Sequence, residues 1–315
     1  LVAGPIERST NLLRQFHEKK VPNYDNLMQG LNLMLWGYFM KLVVADRCAM
    51  YVDAIFNNAA HHTGVSFAVA SVMFTIQIYG DFAGYTYIAI GCAKVMGFHL
   101  HDNFHRPYFA ATITEFWHRW HISLSSWLRD YVYFPLGGSR TSNAKSYRNI
   151  LITFLVSGIW HGANWTFITW GAYHALLFFP LMLWGKNRKY TNSVAAGRFL
   201  PSVKEFGQML FTFLLALIGW IIFRAENIGQ AWDYLGRMCS SSLLDISIRW
   251  GKSALLYIVL LVIVEWFQRD KQHALQITGK GILLYTPVRW IIYFTIILFI
   301  LLFAGGQTDF IYFQF

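Results

Sequence analysis

Long blocks of apolar residues, broken by short polar gaps, set the pattern of this chain. Phe206 to Phe223 (FGQMLFTFLLALIGWIIF), Ala254 to Glu265 (ALLYIVLLVIVE) and Trp290 to Ala304 (WIIYFTIILFILLFA) hold scarcely a charge. A helix needs about 20 mostly apolar residues to cross the hydrocarbon of a bilayer, so the first block spans outright and the other two do so with their less apolar flanks. Asn149 to Gly185 is 37 residues without a Lys, Arg, Asp or Glu, too long for one upright span. Gly158, His161, Gly162 and Asn164 lie near its middle, which predicts two helices meeting at a break around Gly158 to Asn164. Leu27 to Val44, interrupted only by Gln29, Asn32 and Lys41, and Val65 to Gly80 are further apolar segments. The pattern predicts an all-α, polytopic integral membrane protein with about six to eight embedded segments.

Composition agrees. Of 315 residues 56% are hydrophobic, 18% aromatic and 13% charged, against about 25% charged in an ordinary soluble domain. A soluble fold would be left with too little polar surface to cover three such helices. The formal charge of +10 invites a nucleic-acid reading, but the basic residues lie in the gaps between apolar runs. Asn187 to Lys204 holds Arg188, Lys189, Arg198 and Lys204 and no acidic residue. Such clusters beside spans mark cytoplasmic loops and anionic lipid headgroups, so the expected contacts are with membrane lipids and not with nucleic acid. Cys48, Cys92 and Cys239 have no paired spacing and suggest neither a disulfide framework nor a metal knuckle. The whole of 1–315 reads as a single membrane domain. It opens at Leu1 without a methionine, in a turn-like GPIERS stretch, and the expectation is that further N-terminal spans precede it.

The region 99–148 stands apart, because it is polar and yet crowded with rings. Phe116, Trp120, Leu124 and Trp127 or Leu128 follow at three- and four-residue steps, which predicts one helix over Thr114 to Tyr131 with these residues on one side. Such a helix either lies in the interface or re-enters the bilayer. Pro135 to Arg140 (PLGGSR) ends it.

His161 is the sharpest candidate for chemistry. An ionisable group in an apolar run is costly unless it is paired or faces a cavity. A neutral imidazole offers one donor and one acceptor and can take a proton from a hydroxyl. The competing reading is a helix-bridging histidine satisfied by a serine or a carbonyl. Glu115, His118 and His121 sit at three-residue steps, a metal patch on paper, but no fourth ligand or zinc spacing accompanies them, and no metal is expected. His121 at least is a candidate for a catalytic or substrate-orienting role, against a structural role in the interface. His99, His101 and His105 read as solvated, Arg129 and Asp130 as a local pair, and Asp81 as an interfacial carboxylate that needs nothing, in preference to a mid-depth one that would need a partner such as Lys94 or Arg106. No phosphate loop, HExxH or GxSxG is present, and no serine is marked as a nucleophile.

Several motifs in order resemble the membrane-bound O-acyltransferase family: EFWHRWHISLS from Glu115, LRDY from Leu128, PLGG from Pro135 and VSGIWHGA from Val156. The likeness extends to Gly4-Pro5-Ile6-Glu7-Arg8, to Gln77 through Tyr85, and to the terminal Phe310 to Phe315. It is strongest to the bacterial branch that exports acetyl groups for alginate, peptidoglycan or other surface polysaccharides. The resemblance implies that His161 is the essential residue and His121 the second. Many relatives carry Arg where this chain has His118, and no role is carried to it. It further implies a buried catalytic cavity or tunnel in a multi-pass protein of the bacterial cell membrane. Acetyl-CoA is the implied acyl donor, with no tightly bound cofactor and with donor-binding residues not assigned. An extracytoplasmic esterase-like partner and a polysaccharide acceptor system complete the expectation. The alternatives are D-alanyl transfer to teichoic acid within the same family, and a non-enzymatic transporter or scaffold built on the broken helix.

Overall fold

A computed structural model describes residues 4–185, 194–245, 252–277 and 285–304. The described residues are helical and contain no strand. In chain order the helices are α1 (Ser9–Phe16), α2 (Tyr24–Tyr38), α3 (Asp46–Phe56), α4 (Gly64–Val95), α5 (Ile113–Arg119), α6 (Ile122–Leu128), α7 (Asn143–His161), α8 (Trp165–Leu183), α9 (Val203–Arg224), α10 (Ile228–Met238), α11 (Lys252–Phe267) and α12 (Thr286–Phe303). A π-helical segment, Phe39–Ala45, joins α2 to α3, so that Tyr24–Phe56 runs on as one rod. That rod, α4, α8, α9 and α12 are each long and apolar enough to cross a membrane, while α11 is apolar but shorter. No residue of α12 is buried within the protein, as befits a helix whose apolar surface meets lipid.

The chain forms two compact units. The first comprises 1–54, 76–103 and 249–314. In it the α2 rod and the second half of α4 approach through paired glycines. A Cβ on Gly30 would lie 2.6 Å from the Gly91 carbonyl oxygen and one on Gly91 2.6 Å from that of Gly30; Gly37 and Gly84 are matched in the same way. Small residues allow this backbone contact, which in lipid replaces the missing hydrophobic drive. Lys41 reaches both Asp46, at 2.8 Å, and Asp81, at 2.6 Å. Asp81 is thus a paired mid-helix carboxylate and not the partnerless one favoured from the sequence, and its partner is Lys41, not Lys94 or Arg106, because α4 lies along the rod that carries Lys41. The Tyr79 hydroxyl donates to Glu265 at 2.7 Å, and the Arg47 guanidinium donates to the Phe303 carbonyl at the end of α12.

The second unit comprises 55–75 and 104–248. Its centre is the antiparallel pair α7–α8, with α9 against α8. Gly158 packs on the Phe167 carbonyl and Gly171 on that of Phe154, so the two helices meet at backbone distance. Arg224, at the end of α9, lies 5.0 Å from the ring centres of both Phe56 and Phe74. The Ser202–Glu205 capping box starts α9, and Glu205 also pairs with Arg198 at 2.6 Å. Of the basic cluster, Arg188 and Lys189 lie outside the described residues, as does the terminal motif from Phe310.

Candidate functional site

The predicted break falls where the apolar run becomes polar. α7 ends at His161, and α8 restarts at Trp165 with the Asn164 side chain accepting from the Thr166 amide. Gly162 makes the turn possible, since a Cβ there would lie 2.7 Å from the Phe167 ring. His161 is left at a helix end, half-buried, with its ring edge-on to Trp170 at 5.2 Å and Phe223 at 5.1 Å.

The single helix expected over Thr114 to Tyr131 is not formed. α5 stops at Arg119, Trp120 is extended, and His121 adopts φ 44°, ψ 55° before α6 begins. A non-glycine residue in the left-handed region is uncommon and is held there by its surroundings. Those surroundings are aromatic: Trp120 stacks on Phe116 at 5.7 Å and meets Trp220 at 4.7 Å. Burying the Trp120 ring and turning His121 the other way needs the kink, which the repeat of apolar positions did not reveal.

The kink brings the two candidates together. His121 is buried, its ring 6.1 Å from Trp160, which lies 4.9 Å from His161. Both imidazoles thus meet the same indole, that of Trp160. Glu115 and His118 do not join them. Glu115 binds Arg119 at 2.6 Å and the Ala111 amide; burial pushes its carboxyl above the ordinary range against the pull of Arg119. His118 is exposed. Among the described residues no three His, Cys, Asp or Glu side chains form a metal-binding group.

Beside the pair lies a cavity of about 540 Å³. Trp117, His118, Ser125, Ser126 and Arg129 line it from one side and Ser146, Phe154, Ser157 and Phe178 from the other; neither His121 nor His161 does. Ser157 stands four residues before His161, on the same face of α7. The turn at Pro135 to Gly138, between the lining residues Phe134 and Ser139, is fastened to α7 by Asn149, whose amide donates to the carbonyls of Leu136 and Gly138. Gly137 and Gly138 both have positive φ, the tight turn expected of that stretch. Arg129 and Asp130 form the local pair expected, at 2.8 Å. His99 and His101 are tied to Gln15 and Glu7, and the His105 amide donates to the Arg119 carbonyl. Two buried imidazoles are not among the sequence candidates, His273 and His174; His174, in α8, accepts from the Trp117 indole at 3.4 Å. Its signal was available, a second histidine within 37 uncharged residues.

Five helices long and apolar enough to cross a membrane mark a multi-pass membrane protein, in which two histidines gather near a helix break. A model of the membrane-bound O-acyltransferase family matches residues 1–223, and the chain belongs to that family. It is closely related to bacterial alginate and peptidoglycan O-acetyltransferases. It is 40% identical to the probable alginate O-acetylase AlgI of Azotobacter vinelandii over 240 residues, 76% of this chain and 46% of that protein. To the protein of the same name from Pseudomonas putida it is 36% identical, over 100% of this chain and 66% of the relative. The peptidoglycan O-acetyltransferase of Helicobacter pylori is 31% identical over 100% of this chain and 62% of its own length. The chain thus spans about half to two thirds of the length of these relatives. It is a multi-pass protein of the bacterial cell membrane.

Proposed function

We propose that this chain is the membrane component of a system that moves an acetyl group from a cytoplasmic donor, acetyl-CoA, toward extracytoplasmic polysaccharide. His161 is the general base. It takes the proton of an acceptor hydroxyl as that oxygen attacks the acetyl carbonyl, the carbon–sulfur bond breaks, and the thiol leaves carrying a proton. His121 orients the acceptor or polarises the donor carbonyl. The segment 99–148 re-enters the protein to build the chamber, and the cavity beside α7 shelters the donor from water. The acetyl group then passes to an esterase-like partner outside the membrane, which places it on the glycan.

The observation that carries this reading is the gathering of His121 and His161 against Trp160 at a helix break inside the uncharged stretch from Asn149 to Gly185. The likeness to alginate and peptidoglycan O-acetyltransferases supports the acetyl group and the polysaccharide. The test is transfer of labelled acetyl to surface glycan by the full-length protein with its partner. His161→Ala is expected to abolish transfer while the protein still inserts stably. Unchanged transfer in that variant would overturn the reading; labelled D-alanine moving in place of acetyl would reassign the acyl group.

A further inference from the structure

His174 lies one helical turn beyond Trp170 in α8 and is 1% exposed. A polar ring so deeply placed is costly unless it is bonded. Its Nδ1 accepts the Trp117 indole N–H at 3.4 Å, and an imidazole that accepts at Nδ1 carries its proton on Nε2. The Nε2 edge faces α9 at Gly219, where a Cβ would lie 2.7 Å away. The ring is therefore fixed on two sides, by a hydrogen bond and by a backbone that admits no side chain.

What His174 touches matters more than its own burial. Its ring centre is 4.9 Å from Trp117 and 5.0 Å from Trp170, and both contacts are edge-on. Trp170 is the ring against which His161 stands at 5.2 Å. Trp117 belongs to α5, whose end leads into the left-handed His121, and it also lines the cavity. One imidazole thus backs the support of His161 and holds the helix that delivers His121.

We propose that His174 is a positioning residue: through its Nδ1 bond to Trp117 and its contact with Trp170 it sets the ring orientation of His161 relative to His121. Its effect on turnover rests on the acyl-transfer reading above; its effect on geometry does not. The substitutions that test it are His174→Leu, which keeps bulk and loses the acceptor, and His174→Asn, whose side-chain oxygen replaces Nδ1. Trp117→Phe removes the donor, and the double variant W117F/H174L closes the cycle.

Two readouts are needed on the full-length protein: acetyl-transfer kcat and KM, and the rate at which diethyl pyrocarbonate modifies His161, located by peptide mass mapping. H174L and W117F are each expected to lower kcat about tenfold with KM little changed, as loss of one buried hydrogen bond permits. Both are expected to change His161 modification by a similar factor. H174N is expected to restore both readouts, and the double variant to be no worse than either single one. H174N as impaired as H174L, or single effects that multiply in the double variant, would overturn the proposal. Should H161A still transfer acetyl, the acyl-transfer reading fails, and the modification rates still decide the role of His174.

Discussion

In the unit that holds Lys41, polar groups inside apolar helices carry full charges and are satisfied by partners of opposite sign. Lys41 sits between Asp46 and Asp81 at 2.8 and 2.6 Å. In the unit that holds His161, the polar interruptions of the central helices are imidazoles, set by ring edges at about 5 Å. The contrast follows from cost. A charge taken out of water needs a close counter-charge and further hydrogen bonds, and a group so tied is poorly placed to exchange a proton. An imidazole needs only one donor and one acceptor, so neutral neighbours and aromatic walls can orient it without a counter-charge. On that comparison the first unit uses polarity to hold helices together, and the proposed function has the second use it to react.

Substitutions sharpen or break this division. The largest effect is expected from His161→Ala, a loss on the order of a thousandfold in transfer, typical of removing a general base, with an unchanged thermal midpoint in detergent. Lys41→Met should do the reverse. Leaving two buried carboxylates without their cation costs about 3–5 kcal/mol, read as loss of folded protein on heating, while transfer per folded molecule is retained; a selective loss of turnover would erase the contrast. His121→Ala is expected to lower transfer by roughly ten- to a hundredfold, with partial recovery in His121→Asn if orientation is its task. The smallest effect is expected from Tyr79→Phe, which removes the donor to Glu265 and should cost about 1–2 kcal/mol of stability without touching transfer.

Much of this was legible in the chain. The 37 uncharged residues from Asn149 to Gly185 forced two helices, and the structure ends one at His161 and restarts at Trp165. The tight turn at Gly137 and Gly138 and the Arg129–Asp130 pair also followed from local residues. What failed were inferences that needed a neighbour. Asp81 reads as interfacial, with Lys94 or Arg106 as its alternative partners because they lie nearby in sequence, whereas Lys41 lies on a separate helix. The run of Phe116, Trp120 and Leu124 at helical spacing concealed the kink, because one left-handed residue barely disturbs such a pattern. His174 is legible as a second histidine among those uncharged residues, but nothing adjacent to it names its neighbours Trp117 and Gly219.

From its sequence alone this chain had to be a multi-pass helical membrane protein, since long unbroken apolar runs satisfy their backbone hydrogen bonds in lipid as helices, whereas barrel strands are short and alternate. Its motifs also marked His121 and His161. The tertiary structure decided which polar groups meet. The glycines that bring the α2 rod onto α4 place Lys41 against Asp81, and those joining α7 to α8 align the break at His161 with the aromatic wall. Such contacts depend on helix register, and a register is set by side chains far apart in sequence, not by the apolar runs that carry the helices into the membrane.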